Sequence, residues 1–341
     1  MSESNSERSV LRVAFLAKQL NKAMRRFRGP VDTETVLADF ARAVDLFLMA
    51  TGRSGLAREK QDAVLAAVHR LLGAERSSIR YSDRFIIACQ ILAQCARPET
   101  VTCGAYATSA AAALEHLLYV AEPQVVASLV CEVAISGQWR SPAGNVVSIN
   151  RINLLPVILP IVVFEDGGDG IEGATPSMAT DVSVHPRGVD RSYASHLAQL
   201  VLTNEMLSGM PGNFRYIVMK YASSLAGLNE FEGDVVEALF SNGKFVERFA
   251  GISLSHVRRT AEALAGRDVL LAVRDEVQLF DALTGGLAVP LLAVLGTVNG
   301  GVEWQVIRSF VAAEGKLCTF NPREGGRNSI VGLSQLAARL R

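Results

Sequence analysis

The chain predicts an α+β fold, with helices first and strands later. Three observations carry this. Apolar residues recur at helical spacing over about residues 9–95, as in Val36-Leu37, Phe40, Val44 and Leu46-Phe47-Leu48, then Val64-Leu65, Val68 and Leu71-Leu72. The stretch Gly104 to Val120 is apolar on nearly every side. The last third breaks into short apolar runs, Val269 to Val273, Val289 to Val294, Trp304 to Val311 and Leu317 to Phe320, of a length suited to strands.

Taken in order, residues 1–95 read as an all-helical region, with charged residues on the intervening faces and a break at Thr51-Gly52-Arg53-Ser54-Gly55. Asp83 ahead of Phe85-Ile86-Ile87-Ala88 marks the start of a further helix. Residues 96–341 form the second region. Gly104 to Val120 is expected as a central buried helix ending before Glu122-Pro123, and Gln124 to Ile135 as the next helix. Gly137 to Ile149 reads as a hairpin turning at Pro142 to Asn145. Asp181 to Asp190 is loop, and Ser195 to Leu207 returns to helix. Ala282 to Val302 is uncharged and long enough to cross a bilayer, which takes about 20 residues. Its glycines and Pro290 favour a buried strand with turns, so no membrane span is expected.

Composition narrows the function classes. With 49% hydrophobic residues in 341, the chain can build a compact core. Lys plus Arg and Asp plus Glu are equal at 34 each, so no global charge favours nucleic acid. The basic run Lys22 to Arg28 reads as a solvated helix face. Five cysteines (Cys89, Cys95, Cys103, Cys131 and Cys318) are an odd number with no C-x-x-C spacing, the pattern of reduced thiols in a cytoplasm. No export signal is evident between Met1 and Lys18.

The chemistry-bearing residues cluster around Cys103. Thr102-Cys103 precedes the apolar helix, where the macrodipole and free N–H groups would favour a thiolate. Arg191-Ser192-Tyr193-Ala194-Ser195-His196-Leu197-Ala198-Gln199 has the form Arg-Ser-x-x-Ser-x-x-x-Gln. The chain then carries Gly300-Gly301, Trp304 to Val311, Gly315-Lys316 and Asn321-Pro322. Across roughly Arg97 to Arg341 this layout resembles a bacterial branch of the papain-like cysteine peptidases. The resemblance implies a papain-like fold in which the cysteine helix packs on a C-terminal antiparallel sheet. It also implies a Cys, His, Asn order of catalytic residues, with Cys103 and Asn321 at the first and last positions.

Two departures from that pattern stand out. After the glycine pair, where the family carries histidine, this chain has Val302-Glu303-Trp304-Gln305. A carboxylate at Glu303 would disfavour a neighbouring thiolate. The oxyanion glutamine of the family falls at Arg97, with Gln94 near but out of register. Loss of the base costs about 10²- to 10⁴-fold and loss of an oxyanion donor about 10²- to 10³-fold.

A relocated base could come from His196 or His185 in the middle segment, supported by Asn321 or Gln199. His116, 13 residues beyond Cys103, would be about 20 Å away along a continuous helix and is excluded on that footing. Gly168-Asp169-Gly170-Ile171-Glu172-Gly173 spells a dinucleotide fingerprint, yet no helix opens at its last glycine. The acidic residues Glu165, Asp166, Asp169 and Glu172 fit no calcium-loop spacing. No cofactor and no metal are expected.

The expectation is therefore a degenerate papain-like cysteine peptidase, a pseudoenzyme that binds a peptide or protein partner in its former groove. Cys103 and Asn321 would be its remnant dyad, with Glu303 in the base position. An active cysteine hydrolase using His196, and a helical adaptor acting through residues 1–95, are the alternatives.

Overall fold

The computed structural model describes residues 33–103, 108–149, 154, 191–220, 235–242, 244–245, 252, 254–272, 290–296, 302–311, 316–321 and 328–332. The basic run Lys22 to Arg28, the acidic and glycine-rich stretch Glu165 to Gly173, the loop Asp181 to Asp190 and His185 lie outside the described residues. Within them the protein is α+β, as its sequence predicts.

Helix α1, Thr33–Arg53, buries Phe40, Ala43, Val44 and Phe47, an i, i+3, i+4, i+7 stripe. It packs on α3, Tyr81–Ala96, and Phe40 meets Phe85 edge-on with ring centroids 6.3 Å apart. Helix α2, Arg58–Gly73, turns Val64, Leu65, Val68 and Leu71 toward α5, Pro123–Ser136. Pro123 starts α5 at a position where a missing N–H costs nothing. Gly137 ends it in the left-handed region, at φ 74°. The expected hairpin follows as β1, Gln138–Arg140, and β2, Val146–Ser148, with Trp139 opposite Val147.

Helix α4 runs Ser109–Ala121. It starts five residues later than expected, after a non-helical Thr108 at φ −106°, ψ 26°. The difference bears on Cys103, which therefore does not open this helix within the described residues. At the other end Lys60 of α2 donates to the Ala121 carbonyl at 2.9 Å and pairs with Glu122 at 2.8 Å. That cation sits where the helix dipole is negative.

Helix α6, Tyr193–Ser208, is buried on all sides from Tyr193 to Thr203. It packs against α4, α3, α5 and β3. Its N-cap is Ser192, whose hydroxyl accepts from the Ser195 backbone N–H at 3.0 Å. Strands β3, Phe214–Lys220, β4, Val235–Ser241, and β5, Lys244–Phe245, form an antiparallel sheet. Helix α7, Leu254–Ala265, follows, with Val257, Thr260, Ala261 and Leu264 turned inward.

The C-terminal sheet has the order β10-β9-β8-β7-β6. Its strands are β6, Leu270–Ala272, β7, Leu291–Gly296, β8, Val302–Val311, β9, Lys316–Phe320, and β10, Asn328–Gly332. All pairs are antiparallel except β6 with β7. Helix α4 lies against β8 and β7. Leu292, Trp304, Val306 and Phe320 join the same core as Phe40, Leu65 and Ile91. The core thus runs uninterrupted across position 95, with helices on both sides contributing.

Candidate functional site

The Cys103 segment is held by a buried polar network between α4 and α6. Its centre is Gln199, which is fully buried. The Gln199 Nε2 donates to the Thr102 carbonyl at 2.8 Å and to Glu115 Oε2 at 2.8 Å. Its Oε1 accepts from Thr108 Oγ1 at 2.7 Å and from Arg191 Nη1 at 3.0 Å. An amide has two N–H donors and two lone pairs, so all four are used. Arg191 can only donate, which fixes the amide orientation.

Glu115 accepts a second bond, from Ser195 Oγ at 2.7 Å. Ser195 Oγ in turn accepts from Gln94 Nε2 at 2.7 Å, and Gln94 also reaches Ser192 Oγ and accepts from Tyr119. Burial pushes the Glu115 carboxyl up from 4.5 to about 7, against the opposing hydrogen bonds from Gln199 and Ser195 and the Arg191 charge. Burial likewise raises the Tyr119 hydroxyl, with Glu115 adding to the effect.

This geometry revises the distance argument about the cysteine segment. Thr102 O and Glu115 Oε2 contact the same nitrogen, so less than about 5.6 Å separates them. Glu115 lies about 9 Å along α4 from Ser109. The chain entering Cys103 therefore runs beside the helix interior, where little dipole field remains to favour a thiolate. It also means that a 13-residue helical span does not separate Cys103 from His116.

His116 donates from Nδ1 to the Pro98 carbonyl at 2.8 Å and stacks on Phe320 at a centroid distance of 3.6 Å, with the rings within 8° of parallel. The imidazole is the tie between the turn before Cys103, Pro98–Thr100, and the end of β9, where Asn321 follows directly. Burial lowers its pKa from 6.5 to about 3, so the ring is neutral. Its Nε2 finds no hydrogen-bond partner among the described residues.

The expected site residues fall as follows. Cys103 is fully buried, and Asn321 is buried at the end of β9. Glu303 lies in β8, in register with Leu295. His196 is on α6, and its Nδ1 is 2.9 Å from Arg191 Nη2. Since the guanidinium donates, Nδ1 accepts and the neutral ring carries its proton on Nε2. Gln94 is committed to Ser192, Ser195 and Tyr119, and Arg97 caps α3 through its backbone N–H. Cys89, Cys95 and Cys131 are buried thiols that burial drives upward, Cys89 to about 12.

Sequence reasoning missed Glu115, Thr108 and the roles of Arg191 and Ser195. One signal for Glu115 was present: a single carboxylate inside an apolar helical run must find donors. A cleft of about 370 Å³ lies elsewhere, between Ser77-Ser78, Ser136-Gly137-Gln138 and Ser148. Among the described residues no group of side chains is set to bind a metal, and no helix is long and apolar enough to cross a membrane. No family model, no curated protein and no solved structure matches the chain.

Proposed function

We propose that the chain is a degenerate papain-like cysteine peptidase that binds a peptide or protein partner and carries out no thiol catalysis. The observation that carries this reading is the bond from Arg191 to His196. For His196 to take a proton at Nε2, its Nδ1 would have to bear hydrogen and meet the guanidinium donor to donor. The histidine best placed in sequence to replace the missing base is thereby occupied.

Further support comes from Cys103, which is fully buried, and from Glu303 at the position of the family histidine. The packing of α4 on the C-terminal sheet, antiparallel from β7 to β10, with Asn321 directly after β9, is a further point in favour of this reading. Free thiols at all five cysteines fit a cytoplasmic setting. The core shared across position 95 favours the whole chain, rather than residues 1–95, as the acting unit.

Alkylation of Cys103 between about pH 5 and about pH 9, followed by peptide mass spectrometry with the half-buried Cys318 as comparison, tests the proposal. Labelling of Cys103 slower than Cys318, rising only at alkaline pH, is expected. Fast labelling that is already pH-independent at about pH 6 would overturn it and restore an active thiolate.

A further inference from the structure

The network around Glu115 has a directional consequence that does not depend on the peptidase reading. Both Gln199 N–H groups must face acceptors, because Arg191 and Thr108 fix the other end of the amide. A proton arriving on Glu115 Oε2 would meet a Gln199 N–H head-on, and the amide cannot turn to relieve it. The proton must therefore go to Oε1. There the Ser195 hydroxyl has to change from donor to acceptor, while it still accepts from Gln94. The remaining Gln199 bond to Oε2 then loses its charge assistance, which accounts for about half of such a bond's strength.

We infer that Glu115 is a proton-operated latch on the Cys103 segment: as a carboxylate it anchors Gln199, whose second N–H clasps the Thr102 carbonyl, and proton uptake loosens that clasp. The position of Glu115 between Ser195 and Gln199 on α6 makes it the link between the α3–α6 contact and the segment entering Cys103.

Titratable and charged groups reach α4 from several sides. Arg191 and His196 come from the α6 end, Cys95 from α3 and Cys131 from α5. Glu99 belongs to the Pro98–Thr100 turn, and on β8 Arg308 pairs with Glu99 and acts on His116. β7 brings no ionisable residue, and the Arg258–Glu262 pair of α7 is partly exposed. Arg191 is the charge that acts on Glu115, and the Glu115 carboxyl, raised by burial to about 7, puts the transition near neutrality.

Amide hydrogen exchange on the full chain tests the latch. Protection of a peptide covering residues 96–103 is followed from about pH 5.5 to about pH 8.5, corrected for the chemical exchange rate, with a peptide from α2 as control. The wild type should lose roughly ten-fold in protection on acidification, the equivalent of losing one charge-assisted bond's advantage. Glu115→Gln should be pH-independent. Flat protection in the wild type would overturn the latch. So would an unchanged midpoint in Glu115→Gln, which would make another group the titrating one. If that variant does not fold, Ser195→Ala decides: it removes a donor to the carboxylate, so the midpoint should move to higher pH, and a fixed midpoint refutes the proposal.

Discussion

Glu115 and His116 are neighbours on α4, and burial shifts them in opposite senses, from 4.5 to about 7 and from 6.5 to about 3. Between pH 4.5 and 7 the folded state holds a Glu115 proton that the unfolded chain has released, so this term loses stability as pH rises. Between pH 3 and 6.5 the unfolded chain holds a His116 proton that the folded state refuses, so this term gains stability as pH rises. From pH 4.5 to 6.5 the two cancel, since folding moves one proton from the histidine to the glutamate. Single variants should unmask the slopes. In His116→Phe, which can keep the stack on Phe320, stability should fall with rising pH by about 1.4 kcal/mol per unit in that window. In Glu115→Gln it should rise by a similar amount. Urea unfolding at several pH values reads both, and equal slopes in the two variants would contradict the assignment.

At the scale of elements, α6 depends on its first turn. Ser192→Ala removes the cap on the Ser195 N–H and one of the two hydroxyls that Gln94 reaches. It should cost about 1–2 kcal/mol in denaturant midpoints. A loss below a few tenths would mean that the cap carries little weight. Helices with a clear apolar period, such as α1 with Phe40, Val44 and Phe47, were legible in the sequence, as was the hairpin around Trp139. The start of α4 was not, because an apolar run with glycine and alanine reads as helix whether or not a residue such as Thr108 leaves the helical region. The site was legible in part. The Arg191 to Gln199 spacing was visible in the sequence as a motif, yet its bonds go to Thr102, Thr108 and Glu115, some 80 or more positions earlier. Such pairings leave no periodicity to read. The strands β3 to β5 escaped, since β3 finds its place through long-range packing against α6 that no local pattern records.

At the scale of the whole molecule, the shared core predicts what truncation does. Deleting residues 1–95 removes Phe40, Val64, Leu65, Leu71, Phe85 and Ile91 from the contiguous core. Each such side chain is worth about 1.5–3 kcal/mol of burial. The remaining chain should lack a cooperative thermal transition by circular dichroism. A sharp transition near that of the intact protein would instead establish residues 96–341 as an independent domain.

The stack of His116 on Phe320 has a temporal consequence as well. During synthesis, α4 leaves the ribosome long before the strand that covers its imidazole has been translated. Until then the helix has no sheet to bury against, and its apolar surface is open to chaperones or to other nascent chains. Completion of the core is thus deferred to the last part of translation, and the closing contact joins His116 to Phe320 across most of the second region, which favours slow folding.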